Sequence, residues 1–326
     1  MSDSLLFKAN NVLEKIREIP WIPESIEDTN SIPKGDMPGD VIHIKSEHIQ
    51  KAELIFPKML ELLISVLSQS SFHRAVVSVY GGSGVGKSEI ASLLSYYLNQ
   101  IELGSYTLSG DNYPLRIPKD NDTERLRIFR QNGIKGLISY GLYCSDWCFV
   151  LRELQKNGRD FDPELISKYP WLSVYQSSGR NGLKNYLGTV NEIDFNEINS
   201  ILCSFKNGDS KVYLKRMGRE ESEFWYDLVD FTNKNIIIIE WTHGNSHNLL
   251  GVDIPIFLYS TPQQTLEHRK SRNRDKGADS PFTNMVLGIE QELLNSQAAR
   301  AKLIVSKDGK ILSYGEYIGI KMAEYL

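Results

Sequence analysis

The residues with the clearest chemical purpose lie between Ala75 and Ile90, in AVVSVYGGSGVGKSEI. An apolar, β-branched run (Val76, Val77, Val79) leads into Gly81-Gly82-Ser83-Gly84-Val85-Gly86-Lys87-Ser88, which fits the pattern G-x-x-x-x-G-K-[ST]. Loops of this kind curl so that successive backbone N–H groups point inward, and glycine lets them approach phosphate oxygens with no Cβ in the way. The helix that follows starts at the loop and adds the positive end of its dipole. Lys87 is then placed for the β- and γ-phosphates and the Ser88 hydroxyl for Mg²⁺. Gly81 to Ser88, with the adjoining Glu89, form the candidate nucleotide-binding set. An ordinary strand–turn–helix connection needs neither Lys nor Ser after its last glycine, so the pattern favours a bound triphosphate.

Two carboxylates follow strands that can bring them to that loop. A short strand, Ser105 to Leu108, precedes Ser109-Gly110-Asp111-Asn112-Tyr113-Pro114. In open parallel sheets functional side chains project from the carboxyl ends of strands. Asp111 there can accept the proton of an attacking hydroxyl; the competing reading is a plain turn, which Asp-Asn makes well. Ile236-Ile237-Ile238-Ile239-Glu240 reads as a fully buried strand ending in an acid, the place from which Mg²⁺ or its waters are held. Trp241-Thr242-His243-Gly244-Asn245 continues as a polar loop at the same edge.

Two basic clusters come later in the chain. Lys215-Arg216-Met217-Gly218-Arg219 reads as a loop, either solvated or in contact with an anion. His268-Arg269-Lys270-Ser271-Arg272-Asn273-Arg274-Asp275-Lys276-Gly277 suits a lid over phosphates or, on composition alone, a solvated basic helix. Cys144 and Cys148 share an i, i+4 spacing with His243 and His247, as zinc ligands do. Their long separation and the apolar run around Cys148 favour a buried thiol instead.

The elements that must position these residues follow from periodicity. Residues 4–18 alternate at helical spacing. Pro20, Pro23, Pro33 and Pro38 then stud an extended arm up to about Asp40. Ala52, Ile55, Phe56, Met59, Leu63, Val66 and Leu67 make one stripe of a helix over 46–69. These first seventy residues pack onto the nucleotide-binding part or form a homo-oligomer contact. Between 116 and 192 the pattern is helical, with starts at Asp122 or Thr123, Cys144, Asp162-Pro163 and Ser177. This block is rich in aromatic residues (Tyr140, Tyr143, Trp147, Phe149, Tyr169, Trp171, Tyr175, Tyr186), which serve as its core or as a substrate cap. Asp194 and Glu197 have capping-box spacing before a helix that ends at Gly208. Lys211–Leu214 and Ile254–Ser260 read as strands, and Thr261-Pro262 as a helix start. Ser280-Pro281 opens another helix, and a hairpin over 303–312 precedes a last short one.

Composition narrows the class. The chain has 326 residues, 37 basic and 41 acidic, with a formal net charge of −4, so no electrostatic footprint for nucleic acid stands out. The longest aliphatic run, Ile236–Ile239, is too short to span a membrane. MSDSLLFKANNVLEK contains no apolar run long enough for a signal peptide, and three cysteines make no disulfide framework. A cytoplasmic protein is expected.

The ordered set resembles the uridine kinase and phosphoribulokinase group. The matching stretches are GGSGVGKSEIA at 81–91, LSGDNYP at 108–114, IDFNEINSILCSFKNG at 193–208, IIIIEW at 236–241 and IFLYSTPQQTLEHRKSRNRDKG at 256–277. The resemblance implies Asp111 as base, Glu240 as magnesium-associated acid, and Arg269, Arg272 and Arg274 as lid arginines. Where uridine kinases carry a tyrosine–aspartate pair with a nearby histidine and arginine, this chain has Lys215–Arg219, and the block at 116–192 is longer than that group's connection. SGDNYPLR is also similar to a segment of adenylylsulfate kinases. The overall pattern, with EWTHGN and SPFTNMVLGIEQ, resembles most the kinase module fused to bacterial α-galactosidases, which phosphorylates sucrose.

The expectation is therefore an α/β protein of the P-loop NTPase fold, with a mostly parallel sheet, an N-terminal helical extension over 1–45, a kinase domain over 46–326 and a helical insertion over about 116–192. It would use ATP and Mg²⁺ to phosphorylate a hydroxyl of a small-molecule acceptor, a carbohydrate or nucleoside, held by Tyr113, Arg116, Arg216, Arg219, His243 and the inserted helical block, with an adenylylsulfate-kinase-like activity as the alternative. A regulatory nucleotide switch is the rival. A GTPase of that kind needs N-K-x-D, which Asn233-Lys234-Asn235-Ile236 breaks at its last position.

Overall fold

The computed structural model describes residues 21–23, 26–271 and 280–324. The helix expected over 4–18 lies outside these residues. In chain order the elements are α1 (Ser46–Gln69), β1 (Ala75–Gly81), α2 (Lys87–Gln100), β2 (Ser105–Ser109) and α3 (Pro118–Ser139). Next come α4 (Ser145–Lys156), α5 (Leu172–Lys184), α6 (Phe195–Lys206), β3 (Lys211–Met217), β4 (Phe224–Asp230), β5 (Ile236–Trp241) and β6 (Ile254–Leu258). The chain closes with α7 (Leu266–Ser271), α8 (Pro281–Gln297), β7 (Leu303–Val305), β8 (Ile311–Leu312) and α9 (Tyr314–Ala323). They group into two compact units. One comprises the chain up to Tyr113, Asp194–Thr261 and Leu294 onward; the other comprises Pro114–Ile193 with Pro262–Leu293.

The first unit is α/β. Its main sheet has the order β2-β5-β1-β6-β7-β8, parallel throughout except for the β7–β8 hairpin. Every residue of β1, β5 and β6 is buried. That is why these strands read as unbroken Val/Ile runs: both faces of a parallel sheet are covered, and no alternation is left to see. The α1 stripe of Ile55, Phe56, Met59 and Leu63 joins Leu93, Leu94 and Tyr97 of α2 and Val77, Val79 and Ile238 of the sheet in one core. Trp21 adds its ring to Phe56, with centroids 4.6 Å apart. The Asp194 carboxylate caps α6 by accepting from the Glu197 N–H at 3.0 Å, and Gly208 follows with φ +94°.

Strands β3 and β4 form a separate antiparallel ribbon, and here the sequence reading needs correction. The strand extends to Met217 rather than stopping at Leu214, so Lys215 and Arg216 are buried strand residues, not loop residues. Their charges are met by Glu197, Asp36 and Asp227, which local sequence cannot reveal. The partner strand, FWYDLVD, presents mainly exposed side chains and carries no alternation to mark it.

In the second unit α3 begins at Pro118, earlier than Asp122, because proline suits the first turn of a helix, where its missing N–H costs nothing. α5 likewise starts at Leu172, ahead of Ser177, and α7 starts at Leu266, with 262–265 in turns. Close approach of α3 and α5 depends on glycine: a Cβ on Gly136 would lie 2.1 Å from the Ser178 Oγ. Trp171, Tyr175 and Phe129 form the core there, whereas Tyr140 and Phe149 are exposed. Among the described residues no helix is long and apolar enough to cross a membrane.

If α1 is an integral part of the first unit's core, Phe56→Ala should cost about 3–5 kcal/mol in urea unfolding. Leu54→Ala, on the exposed face of the same helix, should cost under about 0.5 kcal/mol.

Candidate functional site

The glycine-rich loop leaves the carboxyl end of β1, which lies between β5 and β6. The register sets Val79 beside Glu240 and Gly81 beside Leu258. Only glycine fits at 81: a Cβ would meet the Leu258 carbonyl oxygen at 2.4 Å. Gly86 has φ +94° and caps α2 in the left-handed region, with the His48 ring of α1 3.2 Å from where a Cβ would stand. α2 therefore begins at Lys87 with its amino end facing the loop. The Lys87 Nζ donates to the Gly82 carbonyl at 3.0 Å, which keeps its charge over the loop.

Glu240 is the centre of the site. β5 pairs in parallel with β2 as well as β1, and that second register places Ser109 beside Glu240. The Ser109 hydroxyl donates to Glu240 Oε1 at 2.5 Å, and the Ser88 hydroxyl to Oε2 at 3.0 Å. Burial pushes the Glu240 carboxyl up to about 8, and the negative charge of Asp111 adds to the rise. The hydroxyl of Ser109, the charge of Lys87 and the hydroxyl of Ser88 oppose it. Lys87, Ser88 and Asp111 are thus all brought within reach of Glu240 by the ends of β1, β2 and β5. Asp111 itself is exposed, on a single turn formed by Gly110–Asn112.

The other residues singled out from sequence have varied surroundings. Gly81, Gly86 and Glu89 are buried, while Gly82, Ser83, Gly84 and Val85 are half-buried. Tyr113 is fully buried, its ring 5.8 Å from the Lys215 ammonium. Arg216 is also buried. Its guanidinium donates to Asp36 and Asp227, both at 3.0 Å, and to the Tyr106 hydroxyl at 2.9 Å. Arg219 is exposed where β3 turns towards β4, and its N–H donates to Glu223. His243 is buried edge-on to the Trp241 ring. Arg116 and Arg269 belong to the second unit. There Arg116 donates to the Tyr186 hydroxyl at 3.1 Å, and the buried Arg269 donates to the Pro262 carbonyl at 3.0 Å. Arg272 and Arg274 lie outside the described residues.

Sequence reading missed Asp36. The proline-studded arm is not a detached linker at this point. A Cβ on Gly35 would stand 3.4 Å from the Thr107 methyl and 3.9 Å from Glu240 Oε1, and the Asp36 carboxylate accepts from Tyr106, Ser109, Asn112 and Arg216. Nothing local distinguishes Asp36 from any aspartate in a polar stretch. His48, whose ring backs Gly86, is equally silent within the α1 pattern.

The donor set suits a hard cation, since two hydroxyls and a carboxylate converge under the extra negative charge of Asp111. Among the described residues no group of three or more His, Cys, Asp or Glu could hold a metal ion. A cation at Ser88 and Glu240 would therefore rest on phosphate oxygens and water as well, as Mg²⁺ commonly does.

The raised Glu240 pKa has a definite consequence for stability. Between the ordinary value of 4.5 and about 8 the folded protein holds a proton that the unfolded chain has released. The stabilising contribution is full below 4.5 and is lost as pH rises through about 8. Glu240→Gln, neutral at every pH, should melt several degrees above the parent at about pH 9 in metal-free buffer, with the gap closing near pH 5. Thermal melts across that range test this; a gap independent of pH would contradict it.

No protein-family model matches the chain. Among solved structures, a D-glycerate 3-kinase from Cryptococcus neoformans is 13% identical, with a TM-score of 0.44, covering 83% of this chain and 99% of its own. A possible uridine kinase from Bacillus stearothermophilus is 14% identical, with a TM-score of 0.37, covering 76% and 96%. In sequence, the chain is 39% identical over 239 residues to the bifunctional alpha-galactosidase/sucrose kinase AgaSK of Mediterraneibacter gnavus. The match takes in 73% of this chain and 21% of that protein, so the chain spans about a fifth of the length of its curated relative.

Proposed function

We propose that this chain is a P-loop kinase that transfers the γ-phosphoryl group of ATP to a hydroxyl of a carbohydrate, with sucrose the first acceptor to test. The observation that carries the reading is the convergence of Lys87, Ser88, Glu240 and Asp111 at the ends of three parallel strands. Of the two activities in the curated relative's name, the kinase is the one that a triphosphate-binding loop serves. In this reading residues 46–326 form the kinase domain, 1–45 an N-terminal arm and about 116–192 a helical insertion. Arg269, Arg272 and Arg274 belong to a lid, and the enzyme works in the cytoplasm.

The chain's residues divide the work. Backbone N–H groups of Gly81 to Ser88 and the amino end of α2 hold the triphosphate, and Lys87 turns from the Gly82 carbonyl to its β- and γ-oxygens. Ser88 and Glu240 would hold Mg²⁺, which when bound would neutralise charge on the phosphates. To serve there Glu240 would have to be ionised, the form that its hydrogen bonds from Ser109 and Ser88 and the charge of Lys87 favour. Asp111 takes the proton of the acceptor hydroxyl as that oxygen bonds to the γ-phosphorus, and the bond to the β-bridging oxygen breaks with its electron pair leaving on ADP. Most of the rate gain comes from positioning and charge stabilisation rather than from covalent chemistry.

A coupled ADP-release assay across sucrose, monosaccharides, nucleosides and adenylylsulfate tests the reading, with the largest response expected for a sugar. Lys87→Ala should weaken ATP binding. Asp111→Asn should bind ATP normally and lose roughly 10²–10⁴-fold in turnover. ATP bound and slowly hydrolysed, with no response to any acceptor, would favour a nucleotide switch instead.

A further inference from the structure

The Asp36 carboxylate is received by four donors, two on each oxygen. The Ser109 N–H (2.7 Å) and the Asn112 side-chain amide (3.1 Å) reach Oδ1. The Tyr106 hydroxyl (2.9 Å) and the Arg216 guanidinium (3.0 Å) reach Oδ2. These donors come from β2, from the turn after it and from β3, and the aspartate side chain among them is only 8% exposed. Burial pushes the Asp36 carboxyl above its ordinary range, while Arg216 pulls it back.

The placement of two donors is telling. Ser109 and Asn112 bracket Asp111, and the turn that carries Asp111 is three residues long, closed by one backbone bond from the Tyr113 N–H to the Gly110 carbonyl. So short a turn has little of its own to fix its direction. Asp36 grips it on both sides of the exposed carboxylate. The same Asn112 accepts from the Met217 N–H at 3.1 Å, and Ser109 turns its hydroxyl to Glu240, so the grip extends to β3 and to the site's central acid. For stability alone a buried aspartate is a poor choice, since its desolvation offsets most of what the pairing returns. Its negative charge also adds to the carboxylates already gathered there.

We propose that Tyr106, Ser109, Asn112 and Arg216 form a receptor for a single carboxylate, that Asp36 of the N-terminal arm fills it, and that Asp36 is thereby a positioning residue for Asp111. The receptor stands on geometry alone; the consequence for turnover rests on the kinase reading.

Replacing the side chain and returning its functional group separately tests both parts in the full chain. Asp36→Ala leaves a cavity of carboxylate size, and formate is the probe. In hydrogen–deuterium exchange, the peptide covering 109–113 should exchange faster in Asp36→Ala than in the parent, while α1 and β1 stay protected. Formate should restore its protection and raise the variant's melting temperature, with neither effect on the parent. ATP affinity should hold while turnover on sucrose falls on the order of 100-fold, and formate should return part of it. If Asp36→Ala does not fold, Asp36→Asn keeps the shape, and faster exchange confined to 109–113 is the expected result. A folded Asp36→Ala blind to formate, or exchange in Asp36→Asn unchanged or raised evenly across the chain, would overturn the receptor. Parental turnover in Asp36→Ala would overturn the positioning role. A parent inactive on sucrose would count against that acceptor only, because exchange and melting still decide on Asp36.

Discussion

β5 lies between β1 and β2 and pairs with both in parallel, so the residue at its carboxyl end faces two neighbours at once. That residue is Glu240. One register delivers the glycine-rich loop beside it and the other delivers Ser109 and the turn bearing Asp111. Parallel pairing permits this because all three strands end on the same side, where their loops gather. A one-residue slip of β5 would send its side chains to the opposite face of the sheet and remove the acid from both partners. Because Ile236–Ile239 are buried on both faces, the cost of such a slip falls on Glu240, which would lose the Ser88 and Ser109 hydroxyls.

Charge is the second constraint that shapes the site. Three carboxylates, Asp36, Asp111 and Glu240, are gathered around the ends of β2 and β5. Each is handled differently. Asp36 stays inside, supported by four donors, Arg216 among them. Asp111 stays in contact with solvent. Glu240, buried with two hydroxyl donors, relieves the strain by holding a proton. A protein organised for stability alone would have replaced one of them with a neutral residue, since a like charge nearby raises the cost of every ionised group. The arrangement suits positive charge, of which Lys87 supplies part; in the proposed reading a cation arriving with phosphate would supply the rest.

What could be read from the sequence was what is encoded locally. The spacing of Gly81, Gly86, Lys87 and Ser88 specifies a loop shape through backbone conformations that neighbouring residues alone decide. The runs before Gly81 and Glu240 specify buried strands because composition reports burial directly. The α1 stripe gave its bounds, Ser46 to Gln69, for the same reason. Asp36 is different in kind. Its meaning lies in partners 70, 73, 76 and 180 positions away, and no periodicity links them. The end of β3 was obscured by charge: Lys215 and Arg216 resemble a solvated loop until Glu197, Asp36 and Asp227 are seen to meet them. The grouping of 262–293 with 114–193 likewise depends on Phe282, Met285 and Val286 finding Phe129, Leu183 and Tyr186 in space.

The fate of that basic cluster bears on what the acceptor is. As a loop, Lys215-Arg216-Met217-Gly218-Arg219 would offer its positive charge to an anionic acceptor such as adenylylsulfate. In the ribbon, Lys215 faces Glu197 at 3.6 Å and Arg216 is shared by Asp36 and Asp227, so both charges are spent inside the protein. Only Arg219 of the three is exposed. The ribbon face that carries Lys215 also carries, by its register, Tyr213, Phe224, Tyr226 and Leu228 with large parts of their side chains exposed. Exposed aromatic faces suit a neutral, hydroxyl-rich molecule better than a polyanion, because ring faces cover its C–H surfaces. If the acceptor of the proposed kinase lies against this face, an uncharged molecule suits it better than an anionic one, since the charges of Lys215 and Arg216 are already met within the protein.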